Sequence, residues 1–186
     1  MSTEEPQAAR RRRPTALDPL ASVRDHPRWF FRTGRFEWQT AVGLLVAEAL
    51  QSSLVETTEV HRLDDWIAVS ADADWLDGDL EAFTKPTAYP EGGTNATRVE
   101  VLLTAFCEAV FTASRGQRSD IRALGENSMP ASMRDALRNP ERGRVVVFRL
   151  PPAERPEAQS ALPRTTGQMA VRLADLPERE GRFQDA

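Results

Sequence analysis

The chain has 186 residues, which is enough for one domain and hardly enough for two. Its hydrophobic fraction of 40% lies below that of typical globular proteins, so the composition predicts one core diluted by polar segments. The net charge of −4 hides a polarity, because residues 1–35 are net basic while residues 56–81 carry nine acids against Arg62; this argues against a protein that coats nucleic acid.

The expected compartment is the cytoplasm. Every apolar run is far shorter than the ~20 residues of a transmembrane helix, and the basic run at Arg10–Arg13 is not followed by the apolar stretch of a secretory signal. The single cysteine, Cys107, cannot form an internal disulfide, which fits a reducing environment. We therefore expect a cytoplasmic protein with no membrane partner.

Both ends of the chain are predicted to be disordered. Residues 1–26 form a basic arm with few large apolar side chains, too few to offset the entropy of ordering. Residues 153–186 are rich in proline, with one exception at 169–176, where a short strand or a docking segment is expected. This leaves a single domain at 27–152.

The first half of that domain begins with the clearest helix, which is predicted over residues 36–56. Apolar residues recur there at helical spacing without an interrupting proline, and they extend beyond one face, so the helix is either central to the core or buried in an interface. Residues 66–70 follow as a strand. Prolines and glycines punctuate residues 82–96, which predicts a loop with a short strand around Phe83.

A second long helix is predicted from Thr97 to Arg115–Gly116. Thr97 and Glu100 have the spacing of a capping box, and the Gly resembles a helix C-cap. A short helix is predicted over 130–138, and a strand buried on both faces over 144–150. The order of elements predicts an α+β domain in which a small mixed sheet packs against two long helices.

Three features could carry chemistry, and each has a simpler structural interpretation. The acidic segment Asp72–Asp79 departs from a calcium-binding EF-hand loop at three positions, which favours an exposed acidic turn. His61 lies close to Asp64 and Asp65 in sequence, but no nucleophile motif accompanies it. Cys107 lies in an apolar segment, which is typical of an unreactive packing thiol.

Two further sites are weighed in the same way. Residues 91–95 lead into a helix N-terminus, where an anion could bind, but they lack the lysine of a phosphate-binding P-loop, which favours a plain turn. Two histidines and one cysteine make a zinc site improbable. We expect no catalytic residue, no metal and no cofactor.

The densest aromatic cluster lies between residues 29 and 38, interleaved with arginines. Such a cluster can seal the edge of the core, bind a protein, or stack on single-stranded nucleic acid. The sequence leaves these alternatives open. Its candidate partner-binding residues are Trp29, Phe30, Phe31, Arg32, Arg35 and Trp38.

The sequence favours a non-catalytic interaction module that binds another protein, and it leaves homo-oligomers possible. The alternative is a protein that binds nucleic acid weakly through Arg10, Arg11, Arg12 and Arg13 together with the neighbouring aromatics. An enzyme using His61, Asp64 and Asp65 is a third hypothesis, and no reaction class is indicated for it.

Overall fold

A computed structural model describes residues 18–89, 96–124 and 126–155, together with the backbone of 167–172. Four α-helices and six β-strands lie within these ranges. The helices are α1 (Pro19–Asp25), α2 (Trp38–Gln51), α3 (Glu100–Phe106) and α4 (Ala131–Arg138). The strands are β1 (Thr57–Leu63), β2 (Trp66–Ala71), β3 (Ala109–Ser114), β4 (Gln117–Ala123), β5 (Arg144–Arg149) and β6 (Gly167–Arg172).

The six strands form one antiparallel sheet in the order β4-β3-β5-β2-β1-β6. Strand β5 lies at the centre between β3 and β2, and this position explains its run of apolar residues. Val146 and Phe148 face one core, while Val145 and Val147 face another. The strand that was predicted over 144–150 to be buried on both faces is therefore confirmed, as is the strand predicted over 66–70.

The helices divide between the two faces of the sheet. Helices α1, α2 and α3 cover the larger core on one face, which includes Leu45 of α2 and Leu103 of α3. Helix α4 covers the other face through Met133 and Leu137, which pack with Trp66. The α+β class is confirmed, but a single long helix, α2, takes part, and the sheet has helices on both sides.

The second long helix was wrong beyond Phe106. Residues 109–114 form strand β3 instead, and their side chains alternate between the two cores. A short apolar run cannot be assigned to helix or buried strand from its periodicity alone. Arg115 and Gly116, read as a helix end, are the two-residue turn between β3 and β4, with φ of 49° and 77°. Positive φ at glycine serves helix caps and tight hairpin turns alike.

The predicted capping box was also wrong. Thr97 forms an isolated β-bridge with Ala88, and Val99 occupies the N-cap of α3 without a capping hydrogen bond from its own side chain. The Glu100 side chain turns into the core rather than back along the helix. Phe83, assigned to a short strand, lies in a 3₁₀ turn and is buried.

Two boundaries need correction at the N-terminal side. Residues 19–25, assigned to the disordered arm, form helix α1, which Asp18 caps and whose Val23 is buried. The first long helix spans Trp38–Gln51 rather than 36–56, and β1 begins soon after it. Residues 1–17 and most of 153–186 lie outside the described residues, although β6 overlaps the segment 169–176. Helix α4 matches the helix predicted over 130–138.

Within the described ranges, no helix is both long and apolar enough to cross a membrane.

Candidate functional site

Two carboxylates are buried side by side between helices α2 and α3. Glu48 is the one charged residue of α2, and its side chain accepts hydrogen bonds from Arg98 Nη1 at 2.7 Å and the Val99 backbone N–H at 3.1 Å. Glu100 is fully buried and accepts a hydrogen bond from Trp75 Nε1 at 2.8 Å through Oε1. The pair therefore joins α2, α3 and the segment that precedes α3.

The two carboxyl groups cannot both ionise at low cost. Burial and the neighbouring Glu48 charge raise the pKa of Glu100 to about 8. Burial also raises the pKa of Glu48, although the Val99 N–H and Arg98 oppose the shift. Glu100 Oε2 is buried and lacks a hydrogen-bond partner among the described residues. Protonation of the Glu100 carboxylate removes a negative charge that would otherwise be buried without compensation. Glu100 therefore holds a proton at neutral pH.

A raised carboxyl pKa is a property of many general acids, but this pair lacks the access that catalysis needs. Glu48 is 4% exposed and Glu100 is 0% exposed. Tyr89 closes the same region, since its hydroxyl donates to the Glu48 carbonyl at 3.0 Å and its ring lies under Arg98. The pair can hold a proton and couple three segments, which is a structural role.

The acidic segment 72–79 is used by the fold. Asp74 accepts hydrogen bonds from Arg144 Nε, from Arg144 Nη2 at 2.8 Å and from Ser114 Oγ at 2.9 Å. Although burial raises the pKa of Asp74, the hydrogen bond and charge of Arg144 together hold it below the usual value. Asp72 accepts from the backbone N–H groups of Glu56 and Thr57, each at 3.1 Å. These carboxylates fix the end of the sheet.

The structure does not gather His61, Asp64 and Asp65 into a site. His61 lies within β1, half-buried, while Asp64 and Asp65 form the turn between β1 and β2. The Asp65 carboxylate accepts from Arg149 Nε at 2.8 Å and pairs with Arg155 at 3.3 Å. Arginines rather than the histidine therefore neutralise Asp65.

Cys107 follows the last residue of α3 and is fully buried. Burial raises the pKa of its thiol well above the usual range. Among the described residues, no group of three or more His, Cys, Asp or Glu side chains is placed to hold a metal ion. Residues 91–95, considered for an anion, lie outside the described residues.

The aromatic cluster splits into a buried half and an exposed half. Phe31 is 1% exposed, and its ring meets Phe36 and Phe106 edge-on at 5.4 and 5.8 Å. Phe30 packs against the same core. Phe31 therefore seals the edge of the core, which is one of the three roles that the sequence left open for this cluster.

The exposed half offers less surface than the sequence indicated. Trp29 is 68% exposed and stacks on His26 at 4.2 Å, and Arg32 and Arg35 are exposed near it. Trp38 is half-buried beneath the Arg62 guanidinium, 4.4 Å from its ring. Arg10–Arg13 lie outside the described residues.

The exposed side of α2 is the feature that the list of candidate residues missed. Five residues of this helix face solvent, and none of the five is charged. They are Gln39, Gly43, Leu44, Ala47 and Gln51. Leu44 is 45% exposed, and Leu54, just beyond the helix, is 60% exposed. The signal was present in the sequence, because the apolar residues of this helix extend beyond one face.

Comparisons with protein-family models, with curated proteins and with solved structures found no match.

Proposed function

We propose that this protein is a non-catalytic module that binds another protein through the exposed side of α2. The main support is that the exposed side of α2 is uncharged and includes a solvent-facing leucine, Leu44, although 28% of the residues of the protein are charged. Exposed helices normally place charged or polar residues toward water. An uncharged strip with exposed leucines is typical of an interface core, from which charge is depleted.

The contacts and burial of the acidic side chains support the same proposal. Asp74 and Asp65 are held by arginines, and Glu100 is sealed in the core. A catalytic acid or base must reach its substrate, directly or through one water. Asp65, Asp74 and Glu100 are therefore committed to contacts within the fold.

A photo-crosslinking residue at position 44 tests the proposal in the cells that make the protein. We expect a discrete protein adduct from position 44. A matched position is Glu141, which is exposed in the turn between α4 and β5, and no adduct of the same mass is expected there. Equal adduct patterns from the two positions, or none from position 44, would contradict the proposed surface.

Nucleic-acid binding through Arg10–Arg13 stays a prediction. About four neutralised phosphates give a log–log salt slope of roughly −3 to −4, so binding should fade by about 150 mM salt. Fluorescence anisotropy with single-stranded DNA measures it, with a variant carrying alanine at Arg10–Arg13 as the control. Submicromolar binding at that salt, lost in the variant, would favour the alternative over the protein partner.

A further inference from the structure

The exposed side of α2 is symmetric about its own centre. Gln39, Gly43, Ala47 and Gln51 follow one another at intervals of four residues, so they form one row along the helix. The row reads polar, small, small, polar from either end. Its midpoint lies between Gly43 and Ala47, and the two glutamines lie about 18 Å apart along the axis.

A two-fold axis through that midpoint brings two copies of the row together in a consistent way. Gly43 of one copy then faces Ala47 of the other, and Gln39 faces Gln51. The Cβ position of Gly43 has no heavy atom within 4 Å, so space for a second backbone is present. Small residues at the crossing point allow two helices to approach closely, and a glutamine amide can both donate to and accept from another glutamine amide.

We propose that the partner of this surface is a second copy of this chain, bound through an antiparallel contact between two α2 helices. This inference rests on the proposed function, because it names the occupant of the same surface. A two-fold contact places the same residues on both sides.

The absence of charge on the exposed side of α2 suits a second copy of the chain as its partner. In a two-fold contact, a residue and its copy lie on opposite sides of the axis, so a charged residue near the axis comes close to a like charge. The exposed side of α2 carries none. The segment 56–81, in contrast, holds nine acids against one arginine and would repel itself. The only charged side chain of α2, Glu48, points into the core and pairs with Arg98.

The contact between two α2 helices covers a small area, so the dimer should be weak. A helix of 14 residues is about 21 Å long, and one helix pair covers less than the roughly 800 Å² per partner of a standard interface. Leu44 adds apolar area beside the row. We therefore expect a reversible dimer that dissociates on dilution, with a dissociation constant on the order of micromolar or weaker.

Sedimentation equilibrium of the full chain over a wide range of concentrations tests the dimer. The wild-type protein should pass from monomer to dimer as concentration rises. Ala47→Glu places one negative charge on each side of the axis, and it should raise the dissociation constant at least about tenfold. Ser132→Glu adds the same charge to an exposed position of α4, on the other face of the sheet, and should dimerise like the wild type. Thermal melts check that both variants fold.

A wild-type protein that stays monomeric throughout would overturn the inference. So would Ala47→Glu dimerising as tightly as the wild type, because the contact would then lie elsewhere.

Cross-linking tests the orientation. Gln39→Cys and Gln51→Cys proteins are mixed and treated with a short bismaleimide; Cys107 is buried and should not compete. The antiparallel contact predicts a cross-linked pair containing one protein of each kind, and little product from Gln51→Cys alone. Product from Gln51→Cys alone at equal yield indicates a parallel contact and contradicts the inference.

The two experiments on α2 separate this inference from the proposed function. A monomeric protein whose position 44 cross-links to a different protein refutes the second copy but leaves the protein-binding module standing. A monomeric protein with no adduct at position 44 refutes both. An adduct within one chain, from a segment outside the described residues, also refutes both.

Discussion

The Glu100 carboxyl group is buried beside that of Glu48, so the free energy of unfolding depends on pH. The unfolded chain loses this proton near the usual pKa of 4.5, whereas the folded chain keeps it until about 8. Between these values the unfolded state binds fewer protons than the folded state. The free energy of unfolding therefore falls as pH rises, by about 1.4 kcal/mol per pH unit from this group.

Glu100→Gln should remove this dependence, because the amide is neutral at every pH and keeps an oxygen for Trp75 Nε1. We expect the variant to be within about 1 kcal/mol of the wild type at about pH 5, and more stable by a few kcal/mol at about pH 8 and above. Urea unfolding across this range measures the difference. Asp74 does not interfere, since its lowered pKa affects stability only in more acidic solution.

Glu81→Gln is the matched control for that experiment. Glu81 is exposed and pairs with Lys85, four residues later in the chain. Exposed pairs of this kind contribute little to stability, so the variant should follow the wild-type pH profile. A Glu100→Gln protein with an unchanged pH slope would show that the buried pair does not hold the proton.

Cys107 gives a second prediction for a single residue. It is fully buried and burial raises the pKa of its thiol, so almost no thiolate is available. Native protein should react slowly with a thiol reagent and rapidly after denaturation. Cys107→Ser should cost about 1–3 kcal/mol of stability if the hydroxyl lacks a partner. Rapid native labelling would contradict this description of the thiol.

Gly43 and Gly143 differ in the space around them, and alanine should therefore have opposite effects at the two positions. A Cβ at Gly143 would lie 2.1 Å from the Ala73 Cα, so the turn before β5 and the turn after β2 approach without room for a side chain. Gly143→Ala should therefore destabilise the protein by more than about 3 kcal/mol or prevent folding. Gly43 faces open space within α2, and Gly43→Ala should stabilise the monomer by about 0.5–1 kcal/mol.

Denaturant unfolding of both variants in dilute solution, where the monomer predominates, checks the pair. Equal effects of the two alanines would contradict the close approach at Gly143. The difference follows from position, because Gly43 lies on the exposed side of α2 and Gly143 lies between two closely approaching turns.

The spacing of apolar residues predicted those helices and strands whose pattern is complete within one segment of the chain. The 14 residues of α2 and the apolar run of β5 carry enough pattern to be assigned without tertiary information. Strand β3 does not, because Val110 and Phe111 are apolar neighbours that suit a buried strand or a buried helix equally. Strand β1 mixes Glu59, His61 and Arg62 with apolar residues, and its pairing with β2 overrides its composition.

The buried pair of acids was beyond the reach of sequence analysis. Glu48 and Glu100 are 52 residues apart in the chain, and nothing in either local sequence indicates that the two side chains meet. The 36–56 helix did carry a usable signal, since its apolar residues extend beyond one face. Burial within the core and burial in an interface give the same pattern, and the structure separates them by placing Leu45 inside and Leu44 outside.

For the whole molecule, ion pairs tie distant segments of the chain to one another. Arg155 pairs with both Asp65 and Glu108, which joins the end of β5 to two turns at one edge of the fold. Arg142 and Arg144 likewise pair with Glu59 in β1 and with Asp74 in the segment after β2. Arginines from residues 142–155 thus pair with three of the nine acids of the segment 56–81, which are Glu59, Asp65 and Asp74.

Helix α1 makes the N-terminal boundary of the fold testable. Its Val23 is 2% exposed within the larger core, and the Arg24 Nε donates to the Ala105 carbonyl at 2.9 Å near the end of α3. A chain of residues 27–172 lacks both contacts and uncovers part of that core. We expect it to unfold at lower urea than a chain of residues 18–172, with a loss of about 2–4 kcal/mol.

Val23→Ala within residues 18–172 separates packing from the helix as a whole. This variant removes apolar volume but leaves the Arg24 hydrogen bond, so its stability should fall between those of the two chains. Because the lost contacts lie on α3, hydrogen exchange in the 27–172 chain should accelerate most at residues 100–107, where α1 packs. Equal stability of the two chains would mean that α1 lies against the core without contributing to it, and that the domain begins at residue 27 after all.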